Sequence, residues 1–250
     1  MATTCILVLD YLFEYLTNVI PINLLELVTA ISGSFYLKMK SGFNIKDKYF
    51  VYFLWFTFFI EVIGAYAPIA YFTKYEYFGF VKDTVFFDNR WLYNIYSLIF
   101  YVFFIDYFKS YLQNIKIRKS INILIIIYLI IGILNLIIND EFYYSTAIFT
   151  EIAGTFLLFS SIIFFYFNLL NSDKLLNLKH YLPLYLSVGV LIYSLCVTPI
   201  EIFSKYFNTE NNSFINLSAK MILFANIFMY TTFIIGFLIC AKKKTNLKPL

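Results

Sequence analysis

The sequence predicts an all-α fold: a polytopic membrane protein, a bundle of seven transmembrane helices with the N-terminus outside and the C-terminus cytoplasmic. Three observations predict it. The 250 residues are 61% hydrophobic and 22% aromatic but only 14% charged, whereas a soluble domain is about half apolar and about a quarter charged. The charges sit between long apolar runs rather than within them. Lysine and arginine also collect on alternate connections, the bias that orients spans in a membrane.

Taken in order, residues 1–16 ("MATTCILVLDYLFEYL") carry acids and no basic n-region, unlike a cleavable leader. Asp10 and Glu14 share a helical face, so this segment either lies on the outer surface or extends the first span. A spanning helix needs about 20 mostly apolar residues. Seven segments qualify, at about 17–37, 49–72, 91–110, 120–138, 146–170, 181–203 and 217–241. Together they form one transmembrane domain over 17–241, followed by a basic cytoplasmic tail, 242–250. The longest connection, 73–90, has mixed charge. Loop 38–48, the turn after span three, loop 171–180 and the tail together hold 14 of the 19 basic residues, which places them in the cytoplasm. Trp91 and the tyrosines near span ends suit interfacial belts. Heavy use of Ile, Phe, Tyr, Asn and Lys points to an AT-rich bacterial genome, hence a multi-pass protein of the cytoplasmic membrane.

Composition and motifs exclude several chemistries. The one histidine, His180, rules out a multi-histidine metal site, and the three cysteines are dispersed. No P-loop, Gly-x-Ser-x-Gly elbow, His-Glu-x-x-His helix or kinase motif occurs. The reading is non-enzymatic, with no cofactor, no metal and no nucleic-acid partner.

Four carboxylates fall at bilayer depth: Glu26, Glu61, Glu151 and Glu201. Charge there costs at least about 2.5–3.5 kcal/mol and faces the bundle interior. Asp106, beside Lys109, reads as a boundary residue. Polar or small residues at helical spacing mark inward stripes. These are Glu26, Ala30 and Gly33; Glu61, Ala65 and Pro68; Asn94, Ser97 and Tyr101. Further on come Tyr128, Gly132 and Asn135; Ser194, Thr198 and Glu201; then Asn226 and Tyr230. The expectation is an outward-opening, tyrosine-rich polar chamber with Glu26, Glu61, Glu151, Glu201, Asn94, Tyr101 and Lys220 as ligand- or proton-binding candidates. Glu61 is expected to be neutral unless Lys220 or Arg90 supplies a countercharge. Pro68 and Pro199 each remove an intrahelical bond and are hinge candidates. The plain alternative is that the same residues are helix-packing glue.

"NRWLYNIYSLIFYVFFIDYF" (Asn89 to Phe108), "FTEIAGTFLLFSSIIFFYF" (Phe149 to Phe167), "LPLYLSVGVLIYSL" (Leu182 to Leu195) and "NIFMYTTFIIGFLIC" (Asn226 to Cys240) resemble uncharacterised seven-helix membrane proteins of Bacteroidota-type bacteria. The likeness covers spans three to seven. The Asn/His-x-Tyr-x-Leu pattern of that family is matched by Asn94, Tyr96 and Leu98, and its fifth-span glutamate by Glu151. A glutamate shortly after the third-span pattern is replaced here by Ile99 or Phe100. The resemblance implies a membrane protein of unassigned function, with sensing among its roles, and brings no known site.

Three readings follow. In the first, a receptor-like or sensory module binds a small ligand or responds to protons and signals through a separate protein partner. In the second, a carrier or channel for a small cation or solute uses Glu61 and Glu151 as exchangeable sites. In the third, a non-catalytic subunit packs its polar face against another membrane protein. A continuous polar path to the cytoplasm separates the first two. The Ile-, Leu- and Phe-rich inner halves of spans four, five and seven weigh against one.

Overall fold

The computed structural model describes residues 2–40, 43–138, 141–204 and 212–241, with backbone alone at 2–16, 18, 141, 204, 212 and 213. The basic tail 242–250, Asp140, and the side chains of Asp10 and Glu14 lie outside that description. Among the described residues every regular element is helical. The elements are α1 (Ala2–Met39), α2 (Ile45–Gly64), α3 (Tyr66–Phe72), α4 (Arg90–Lys109), α5 (Ile115–Ile138), α6 (Glu141–Tyr144), α7 (Ile148–Leu170), α8 (Leu182–Ser204) and α9 (Asn212–Ala241). Short 3-10 turns cover Gly79–Val81 and Asp173–His180.

Seven segments are long and apolar enough to cross a membrane: Val19–Met39, Ile45–Phe72, Arg90–Lys109, Ile115–Ile138, Ile148–Leu170, Leu182–Phe203 and Phe214–Ala241. Two helices start earlier than hydropathy alone predicts, because capping decides where a helix begins. The side-chain oxygen of Asn44 accepts from Lys46 N at 3.1 Å, starting α2 ahead of its apolar run. Asn114 does the same for Lys116 N at 2.9 Å, so α5 begins with an exposed, basic turn. The first span is part of one helix of 38 residues, about 57 Å at 1.5 Å per residue. That is nearly twice the hydrocarbon thickness of about 30 Å, so the N-terminal segment continues the helix of span one.

Helix neighbours define a ring. α1 packs on α2, α2 on α4, α4 on α7, α7 on α8, α8 on α9, and α9 back on α1. α5 stands outside this ring, against α4 and α7. Its remaining faces expose Ile123, Ile126, Ile130, Ile133, Leu134, Ile137 and Ile138, a surface suited to lipid tails. Where it does pack, Tyr128 donates to the Thr150 carbonyl at 3.1 Å, and Gly132 lets Leu98 approach.

The ring has two ends, here called the Trp91 end and the Tyr111 end. Between them lies a layer of buried rings: Phe50, Phe53, Phe104, Phe233 and Phe237. Phe50 meets Phe233 edge-on at 5.4 Å and Phe104 edge-on at 6.0 Å, while Phe53 stacks on Phe103 at 4.0 Å. Edge-to-face and offset packing of this kind suits ring quadrupoles. At the Tyr111 end, Asp47 is only 4% exposed. Tyr36 donates to its Oδ2 at 2.7 Å and Tyr111 to its Oδ1 at 3.2 Å, with Tyr107 at 3.4 Å. Asp106 pairs with Lys46 at 3.5 Å and with Lys109.

Candidate binding chamber

A cavity of about 400 Å³ occupies the ring between the Trp91 end and the aromatic layer. All six ring helices line it, and α5 does not. The stripe Tyr128, Gly132 and Asn135 is therefore corrected: it serves packing and not the chamber. The reason is the position of α5 outside the ring, which helical periodicity cannot reveal.

The four glutamates expected at bilayer depth, Glu26, Glu61, Glu151 and Glu201, line this one cavity. They come from α1, α2, α7 and α8, so only the closed ring brings them together. Each has a local anchor. Tyr230 donates to Glu26 Oε1 at 2.8 Å and Tyr93 to Glu61 Oε2 at 2.8 Å. Tyr101 donates to Glu151 Oε2 at 2.7 Å, and Ser97 donates to Oε1 of the same carboxylate. A side-chain hydrogen bond joins Glu201 and Thr146. Glu26 and Glu61 are close enough to interact electrostatically, as are Glu151 and Glu201. Tyr193 stands within electrostatic reach of all four.

The expected stripes hold where they meet the ring's inner face. Ser97, Ser194, Thr198, Asn226 and Tyr230 line the wall with Asn94 and Tyr101. Below Glu26, Ala30 and Gly33 are packing positions, Gly33 taking Val51 and Phe237 against its backbone. Asn94 is a positioning residue. Its Nδ2 donates to the carbonyls of Phe142 (3.1 Å) and Ser145 (2.9 Å), and its Oδ1 accepts from Ala147 N at 3.0 Å. This single side chain fixes the segment that leads into α7 and so places Glu151.

Three candidates lie away from the wall. Lys220 is exposed and not part of the wall; among the described residues the basic side chain that lines it is Arg90. Arg90 sits at the rim, paired with Asp88 at 3.2 Å and donating to the Tyr144 carbonyl. Neither Pro68 nor Pro199 lines the chamber. α8 runs through Pro199 without a break, and the proline ring is exposed. At Pro68 the helix does break, between α2 and α3, but the break is pinned: Asn89 Nδ2 donates to the freed Gly64 carbonyl at 2.7 Å.

Sequence reading passed over Tyr193 and Thr57, and gave Tyr96 only as part of the third-span pattern. Thr57 and Tyr96 hydroxyls pair at 2.9 Å in the wall. Tyr193 was legible in principle, since Tyr193, Val197 and Glu201 recur at four-residue spacing on α8 and all three line the cavity. The Asp47 centre had no such signal, because its tyrosines come from two other parts of the chain. The chain matches no protein-family model, no characterised protein and no solved structure.

Proposed function

We propose that this is an integral membrane protein of receptor-like or sensory type. Its chamber faces outward from a bacterial cytoplasmic membrane, with the basic connections inside. It binds a small ligand or responds to protons, and a separate protein partner reads the resulting helix movement. The observation that carries the reading is the four-carboxylate chamber ending on buried phenylalanines. A site that admits a ligand from one end and is sealed from the other suits sensing better than conduction. Intramembrane ionisable groups are also too costly to keep without a role or a partner.

Thermal unfolding of the detergent-purified protein, wild type beside Glu61→Gln, tests this across pH, sodium and a small-metabolite library. A ligand selective for the folded state raises stability by about 2.7 kcal/mol at a hundredfold excess over Kd. A stabilisation lost in Glu61→Gln is the expected result. No stabilisation under any condition, with the variant equally stable, would reduce the carboxylates to packing.

One observation favours the carrier reading as a second choice. Asp47 and its tyrosines form another buried polar centre beyond the aromatic layer, and carriers expose sites alternately to the two sides. Flux in liposomes separates the readings: ligand-driven uptake that stops in Glu151→Gln establishes a carrier.

A further inference from the structure

We infer that the ligand of the chamber is a small organic ammonium ion. The inference rests on the chamber being a binding site and concerns what that site recognises. Four carboxylates line it, while among the described residues the basic side chain of its wall is Arg90, which sits at the rim within electrostatic reach of Glu201 and is engaged by Asp88 and the Tyr144 carbonyl. The hydroxyls of Tyr93, Tyr101, Tyr230 and Ser97 are spent on holding Glu61, Glu151 and Glu26 in place. A carboxylate has about four acceptor positions across its two oxygens, so acceptors outnumber the donors aimed at them.

The surplus is visible at particular atoms. Glu26 is 3% exposed and its Oε2 has no hydrogen-bond partner; Ser194, 1% exposed, likewise leaves its Oγ unpartnered. Both residues line the cavity. A buried polar atom without a partner is costly, and a donor-rich cation entering the chamber supplies what these atoms lack. An ammonium group carries up to three N–H donors and no acceptor.

The arrangement favours an organic cation over a metal ion. A hard metal needs several oxygens within about 2.0–2.6 Å of one point. Among the described residues no three acidic, histidine or cysteine side chains converge that closely. Glu26 instead lies within electrostatic reach of Glu61, and Glu201 within reach of Glu151, with Tyr193 in reach of all four. Five tyrosines in the wall supply aromatic, apolar surface for the alkyl part of such a ligand. A cavity of about 400 Å³ has the volume of a small-molecule site.

The test is thermal unfolding of the full-length protein in detergent, at matched ionic strength, with four probes: 1,4-diaminobutane, butylamine, 1,4-butanediol and succinate. The expected result is a concentration-dependent rise in midpoint with the amines, and none with the neutral or anionic analogues. The apparent Kd should weaken at least tenfold in Glu26→Gln. If that variant does not purify folded, Glu61→Gln and Ser194→Ala serve in its place. Amine stabilisation unchanged in these variants would overturn the inference. Stabilisation by butanediol, succinate or another non-cationic compound, lost in Glu61→Gln, would overturn it while leaving the chamber as a binding site. Failure of every probe and of the metabolite library would overturn both.

Discussion

The Gly64 carbonyl accepts a hydrogen bond from Asn89 Nδ2 at 2.7 Å, across the start of α4. Pro68 has no N–H to offer that carbonyl, and its ring excludes the usual helical geometry. The chain therefore breaks at Ala65, and α4 supplies the missing donor. One turn along α4, Tyr93 donates to Glu61, one turn before the break on α2. The same pair of helix ends thus holds both the kink and a chamber carboxylate.

Asn89→Ala tests that arrangement. It leaves the buried Gly64 carbonyl without this donor, a loss of about 1–3 kcal/mol. Chemical unfolding in detergent would measure it, and a variant as stable as wild type would show that water replaces the amide freely.

Gly154 makes a second specific demand. A Cβ placed there would lie 2.4 Å from Tyr101 Cγ and Cδ2, and 2.8 Å from the Tyr128 hydroxyl. The first two are atoms of a buried ring and cannot swing aside cheaply. Gly154→Ala is expected to cost about 1–3 kcal/mol as overpacking. It should also displace Tyr101 from Glu151, weakening any ligand effect on thermal unfolding. Unaltered stability would mean that α4 and α7 can separate without loss.

Tyr111 lies in the connection between α4 and α5, outside the spans. Burial, and then the nearby Asp47, hold its phenol well above the ordinary tyrosine range. In the unfolded chain the phenol ionises near about pH 10. The stabilisation from keeping it neutral is therefore complete below that pH and is lost as pH rises towards the folded-state value. Unfolding measured from pH 9 to 11.5 should decline less steeply in Tyr111→Phe than in wild type. Equal slopes would place Tyr111 in contact with water.

Much of the chamber is legible in the sequence. Glu26, Glu61, Glu151 and Glu201 stand out because each is an ionisable group in an apolar run, and solvation cost alone says it turns inward. Tyr101, Ser194, Thr198, Asn226 and Tyr230 follow from helical spacing. The same reasoning fails for Tyr128, Gly132 and Asn135, whose spacing is as good but whose helix stands outside the ring. It fails for Lys220 as well, since a lysine near a span end has water within reach and no need of a carboxylate.

By itself, then, the sequence determined the helical class, the seven apolar segments and the inward preference of the buried acids. Those properties depend on local hydropathy and on the cost of burying charge, and each is a sum over neighbouring residues. Helix starts at Ile45 and Ile115 needed the caps at Asn44 and Asn114, which are local but invisible to hydropathy. Only the tertiary structure decided that α5 is peripheral, that four acids from four helices share one cavity, and that Asn89 closes the break made by Pro68. Tyr36, Tyr107 and Tyr111 meet Asp47 for the same reason: side chains distant along the chain become neighbours only through the order in which helices pack.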